Sequence, residues 1–248
     1  FGYFGYDMIR QIETIPDSTE TVIDTPDSML LRPSLIAIFD RLRDSITLVT
    51  QIRPADWDDA AGAWNVAQSR LSNAMLALEA PTPPTEAGGD DAVLPAPQSN
   101  MTKSDFTSIV AKARDYIRAG EIFQVVLSQR FSVPFHLPAF NLYRSLRRLN
   151  PSPFLFFFDF GGLSIVGSSP EILVRLRDDV VTIRPIAGTR KRGKDAEEDA
   201  ANAEDMMRDV KERAEHLMLL DLGRNDVGRV SRPGSVKVKS NYEVEYYS

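Results

Sequence analysis

Residues 184–230, RPIAGTRKRGKDAEEDAANAEDMMRDVKERAEHLMLLDLGRNDVGRV, decide how this chain is read. The run 180–186 ends a strand, and Arg184 near its end clusters with Arg190, Lys191, Arg192 and Lys194 of the loop that follows. From Asp195 onward Met206, Val210, Ala214, Leu217 and Leu220 recur at helical spacing, which predicts one helix over 195–222 closed by Gly223. The glycine-containing, charged segment 221–230 reads as a turn. Glu212 and Glu215 stand three apart, so both leave the helix from one side, where a single hard cation can meet them. The competing reading is a solvated pair. Just upstream, Gly188 and Thr189 offer backbone donors and a hydroxyl to an anion. The basic loop either steers a dicarboxylate or is simply hydrated. His216 has no second histidine four residues on, so the zinc pattern is missing.

Working outward, the strand at 180–186 closes a predicted meander. Its members are 154–160, the Gly161-Gly162 turn, 163–166, 172–177, the Asp178-Asp179 turn, and 180–186. Two-residue turns make such neighbours antiparallel. The phenylalanine-rich first strand is expected to be buried on both faces. Residues 167–171, GSSPE, interrupt the sheet with small side chains and set Glu171 at a strand edge. A partly desolvated carboxyl there can act as a general acid, and the alternative is an ordinary exposed glutamate. In 123–133, Phe123, Val125, Leu127, Phe131 and Val133 share one parity while Gln124, Ser128 and Arg130 share the other. That strand is either half exposed or a cleft wall with Gln124 toward a ligand.

Helices are expected after Thr102 or Ser104, stopped by Gly120, and over 138–149, followed by the rigid turn Asn150-Pro151-Ser152-Pro153. The Pro-, Gly- and acid-rich run 81–100 can form neither helix nor central strand, so it is a linker between a part at 1–80 and a part at 101–248. The first part holds the aromatic-glycine run FGYFGYD and a hairpin over 35–39 and 45–52. It continues into a helix with Asp56 as N-cap and Trp57, Trp64, Leu71, Met75 and Leu78 along its stripe.

Composition sets the outer bounds. The 248 residues, 43% hydrophobic, suffice for one large domain or two small ones. A net charge of -6 with pI near 5.1 argues against nucleic acid or an anionic membrane as partner. No apolar run approaches the ~20 residues of a membrane span. Zero cysteines exclude disulfides and thiolate metal sites, which fits a reducing compartment, and with no signal segment in the sequence a cytoplasmic location is expected. The chain starts at Phe1 and ends in NYEVEYYS while still reading as strand, so we expect a fragment cut at both ends.

In order and spacing, the blocks FGYFGYD, GEIFQVVLSQRF, NPSPF, GSSPE, RPIAGTR, ERAEHLMLLDLGRNDVGRV and VEYYS resemble the chorismate-utilising enzymes, most closely the large subunits (component I) of anthranilate synthases. The resemblance covers nearly the whole chain. It implies an α+β sandwich of antiparallel sheets with flanking helices, truncated here. It also implies conversion of chorismate and ammonia to anthranilate and pyruvate, with Mg²⁺ as cofactor. Ammonia would come from a glutamine amidotransferase subunit, and tryptophan would act as feedback inhibitor.

Residue by residue, Glu171 matches the family's general acid, and Gly188 and Thr189, preceded by Ala187, match the substrate-binding segment. Glu212 and Glu215 match the first half of the magnesium site, Glu215 as the direct ligand. Pro153, Phe154 and Leu155 match the part lining the tryptophan site. Relatives that add water to chorismate carry a lysine where this chain has Gln124, which cannot be a base. Aminodeoxychorismate synthases carry a nucleophilic lysine in the block that here holds Ala187, which leaves ammonia as the attacker. Two alternatives stay open: aminodeoxychorismate synthase, and a catalytically dead module that binds tryptophan or a partner. The family's histidine, its substrate-binding tyrosine and arginine, its glycine-rich loop and its second glutamate pair have no match in residues 1–248. We therefore expect no turnover from this chain alone.

Overall fold

The computed structural model describes residues 1–17, 20–53, 59–82 and 95–247. They fall into two compact units, Phe1–Ala87 and Gly88–Ser248. In the first, β1 (Gly2–Phe4) pairs antiparallel with β2 (Ser28–Leu30). The expected hairpin is present as β3 (Leu35–Asp40) and β4 (Ser45–Thr50), with Leu35 opposite Thr50 and Asp40 opposite Ser45. Its turn is made locally: the Asp40 carboxylate accepts the amides of Leu42 and Arg43, and Asp44 takes φ 49°, which aspartate tolerates. Helix α1 (Ala60–Glu79) packs on β4, buries Ala63 and Ala67, and sends Arg70 Nη1 to Thr50 Oγ1 at 2.9 Å. The cap expected at Asp56, with Trp57, lies outside the described residues. Asp59 caps α1 instead, its carboxylate accepting the Gly62 amide at 2.6 Å.

The second unit opens with β5 (Gln98–Ser99) and α2 (Lys103–Ala119). Thr102 and Asp105 close a reciprocal capping box at the start of α2, and Gly120 ends it at φ 79°. The predicted strand over 123–133 is mostly unpaired: only β6 (Phe131–Ser132) meets a partner, β5. Phe123 and Val126 are 88% and 86% exposed. An alternating pattern sets which face is apolar, but a ladder also needs an edge to bond to.

Helix α3 (Ala139–Leu149) leads to β7 (Phe154–Asp159) and β8 (Ser164–Ser169), a hairpin with Phe154 opposite Ser169 and Asp159 opposite Ser164. Phe157 turns toward α3, its ring 5.3 Å from that of Phe140 in an edge-on contact, while Phe156, Phe158 and Phe160 stack in succession on the opposite face. The strand is half-buried rather than buried on both faces. Next come β9 (Arg175–Arg177) and β10 (Val180–Thr182), joined by Asp178 and Asp179 at φ 49° and 59°, the left-handed pair a two-residue hairpin turn requires.

The long helix is two. Helix α4 (Ala196–Arg208) stops at Asp209, whose extended backbone starts α5 (Val210–Val230) and whose carboxylate accepts the amides of Lys211 and Glu212. Gly223 does not close the helix but lies inside α5, and 221–230 is helical rather than a turn. A Cβ on Gly223 would lie 3.4 Å from Ile183 Cγ2, an ordinary van der Waals contact, so the packing there would admit a side chain's first carbon. The class is α+β, and among the described residues every sheet is antiparallel and two-stranded.

Candidate active site

After β10 the chain runs without regular structure through residues 183–194 toward α4. Gly188 sits at φ 78°, a conformation only glycine adopts without strain. It passes so close to α4 and α5 that a Cβ there would stand 3.2 Å from Met206 Sδ on the first and 3.2 Å from Glu212 Oε2 on the second. The two motifs singled out in the sequence, Gly188-Thr189 and Glu212, are therefore neighbours in space.

The basic loop is tied down rather than free. Arg190 donates from Nε to Asp205 Oδ2 at 2.8 Å, from Nη2 to Asp209 Oδ2 at 3.0 Å and from Nη1 to Glu212 Oε1 at 3.2 Å. Arg192 forks onto Asp199, reaches the Tyr247 carbonyl at 2.6 Å, and lies over the Tyr246 ring. Arg184 pairs with Glu245 at 2.5 Å. These contacts raise the pKa of Arg190 and Arg192, chiefly through Asp205 and Asp199 respectively. Asp209 is held below the usual carboxylate range, first by the Glu212 amide, and Asp199 by Arg192. The steering role considered for the loop is thus open only to its unpaired part: Lys191 and Lys194 make no side-chain ion pair among the described residues.

A cavity of about 1250 Å³ lies against this loop. Gly188, Thr189, Met206, His216, Asn241 and Tyr242 line it, and so do Pro170 and Ile172, the two neighbours of Glu171. His216 Nε2 is 3.0 Å from Asn241 Oδ1, which joins α5 to the C-terminal segment. The Glu171 side chain is exposed, while its amide donates to Ser169 Oγ at 3.1 Å. Glu215, one helical turn beyond Glu212, is half-buried. Gln124 lies on the exposed, unpaired segment and not in the cavity lining. Pro153, Phe154 and Leu155 are likewise outside it, at the start of β7. Their turn is fastened to β8, because Ser168 Oγ bonds the Asn150 carbonyl at 2.8 Å and Ser152 Oγ at 2.7 Å.

Sequence reasoning missed Asp205, Asp209 and the segment 240–247. The first two carried a signal, since Asp205, Asp209 and Glu212 recur at intervals of four and three and form an acidic stripe. The last was read as strand, but residues 240–247 are irregular and line the cavity. For a divalent ion the donor chemistry fits as far as it goes. Glu212 and Glu215 are hard oxygen donors, and Glu212 Oε2 faces the glycine loop. Among the described residues no group of three or more potential ligands converges.

This α+β chain, with a glycine-threonine loop against a glutamate-bearing helix, belongs to the chorismate binding enzymes, whose family model matches residues 1–248. Among curated relatives, anthranilate synthase component 1 of Cereibacter sphaeroides is 50% identical over 248 residues, all of this chain and 50% of its own length. The Pseudomonas putida protein of the same name is 42% identical over 256 residues, again 50% of its length. The crystal structure of anthranilate synthase component I from Streptococcus pneumoniae superposes with a TM-score of 0.87 at 38% identity, covering 100% of this chain and 53% of that one. The chain thus spans about half the length of the relatives it matches.

Proposed function

We propose that the chain is the chorismate-facing part of an anthranilate synthase large subunit. The observation that carries this reading is the juxtaposition of Gly188, which lines the large cavity, with Glu212 Oε2; Glu212, Glu215 and Glu171 themselves lie outside the cavity lining. Backbone donors at Gly188-Thr189 suit a carboxylate of the substrate, and Glu212 with Glu215 would hold Mg²⁺. When bound, that ion supplies positive charge to a substrate carboxylate and offsets charge in the transition state. Glu171, between two residues of the cavity wall, delivers a proton to the departing 4-hydroxyl, which leaves as water while ammonia adds to the ring. Loss of pyruvate then gives anthranilate. Ala187 supplies no nucleophile, which favours ammonia over an enzyme amine as attacker. A glutamine amidotransferase would supply the ammonia, and the turn at Pro153, Phe154 and Leu155 would contribute to tryptophan feedback.

The test is product formation by the protein at its full natural length, given chorismate, Mg²⁺ and ammonia. We expect anthranilate fluorescence, and a loss of about 10²–10⁴-fold in kcat for Glu171→Gln. Aminodeoxychorismate as the product would replace this reading with its nearest rival. An inert wild-type protein would remove the enzyme reading altogether.

A further inference from the structure

The cavity beside the basic loop has a wall whose charge opposes that of the molecule. The chain carries a net charge of -6, yet eight basic and four acidic side chains line this cavity. Much of that charge is already answered: Arg184 meets Glu245, Arg192 meets Asp199, and Arg190 and Arg224 meet carboxylates of α4, the elbow and α5. Arg175, Lys191, Lys237 and Lys239 line the cavity too, and their side chains make no hydrogen bond or ion pair among the described residues. They come from three separate stretches: β9, the loop two residues past Thr189, and the chain beyond α5. Among the described residues the acids left unpaired on the wall are Asp179 and Glu243, so free cations outnumber free carboxylates four to two.

We propose that these four cations make the cavity selective for a dianion, so that it holds a substrate with two carboxylates and releases products that carry one each. The inference rests on chorismate being the substrate, as argued above. Chorismate has two carboxylates, and addition of ammonia with loss of water and pyruvate divides them, one remaining on anthranilate and one leaving on pyruvate. Coulomb attraction scales with the charge of the ligand, so each product keeps about half of what held the substrate. A concave wall with a surplus of one sign concentrates its field and raises the local concentration of an oppositely charged ligand, which scattered lysines on a convex surface do not. The basic loop contributes to this wall through Lys191, while Lys194 lies outside the lining.

Titrating chorismate and, separately, anthranilate into the protein at full natural length, without ammonia or glutamine, tests this at salt concentrations of about 0.01 M and about 0.15 M. Wild type is compared with a variant in which Lys191, Lys237 and Lys239 are all replaced by glutamine, with one in which all three become arginine, and with Glu243→Gln. In low salt the glutamine variant should weaken chorismate about tenfold and anthranilate only about threefold, and both losses should shrink in high salt. The arginine variant keeps the charges and should bind as wild type does. Glu243→Gln, which removes an acid from the wall, should act in the opposite sense and tighten chorismate. Equal losses for the two ligands, or a loss that the arginine variant shares, would mark a packing role and overturn the proposal. A wild type that binds no chorismate removes the chorismate reading and this inference with it. Chorismate binding that is the same in wild type and glutamine variant leaves that reading standing and refutes the lysine wall.

Discussion

The β7–β8 hairpin and the 184–192 loop lie in the same unit and are held by opposite means. In the hairpin every residue from Phe154 to Asp159 has a ladder partner, and phenylalanine rings cover both faces. In the loop no backbone ladder exists, and arginines 190 and 192 fix the chain by reaching carboxylates on α4, the elbow and α5. The hairpin owes its shape to local pattern and apolar contact. The loop owes its shape to charge arriving from residues 7 to 61 positions away. Backbone and side-chain donors freed from a ladder are what a substrate-binding segment requires, so the less regular of the two regions is the one suited to chemistry.

Two perturbations should split the regions, the stronger one first. A Cβ on Gly167 would fall 2.1 Å from Phe156 Cζ, inside the ring that crosses the strand pair. Gly167→Val is expected to cost about 1–3 kcal/mol through overpacking, read as a lower urea midpoint for the second unit with the Arg190 contacts intact until the hairpin opens. An unchanged midpoint would mean the ring is not packed as described.

Acid acts on the other side of the comparison. The folded-state pKa values of Asp209 and Asp199 are depressed, so their contribution is complete above the unfolded value of about 3.9 and is lost as pH falls through the folded values. Amide resonances of Lys211, Glu212 and Gly193 should therefore shift below about pH 4 while those of Phe156 and Gly167 hold. Simultaneous loss of both sets would contradict the division.

The same contrast explains what the sequence could reveal. The hairpin turns, a helix start at Thr102 or Ser104 and Gly120 as a helix stop are short-range features, readable because cause and effect lie within about four residues. The helix break was not, because apolar spacing runs unbroken from Met206 to Leu220 and the residues that impose the elbow, Asp209 as cap and Arg190 as clasp, act through side chains. Gly223 misled because a glycine near the end of a helical pattern does not by itself stop the helix, and α5 runs through it to Val230. Gln124 was placed on a strand by parity alone, and parity says nothing about a ladder partner. Within the candidate site, Gly188-Thr189 and Glu212 were legible as motifs, but their contact was not.

The central claim is that this contact makes one site, in which a helix-held cation and the glycine-threonine loop bind the same substrate. It is tested most directly by measuring chorismate affinity with and without Mg²⁺ in the full-length protein, its Glu212→Gln form and its Glu215→Gln form. The account predicts that Mg²⁺ tightens chorismate binding at least about tenfold in the wild type and has no such effect in either variant, with helix content unchanged. Chorismate binding that is equally strong in chelator and in Mg²⁺, or a Mg²⁺ effect that survives both substitutions, would contradict it.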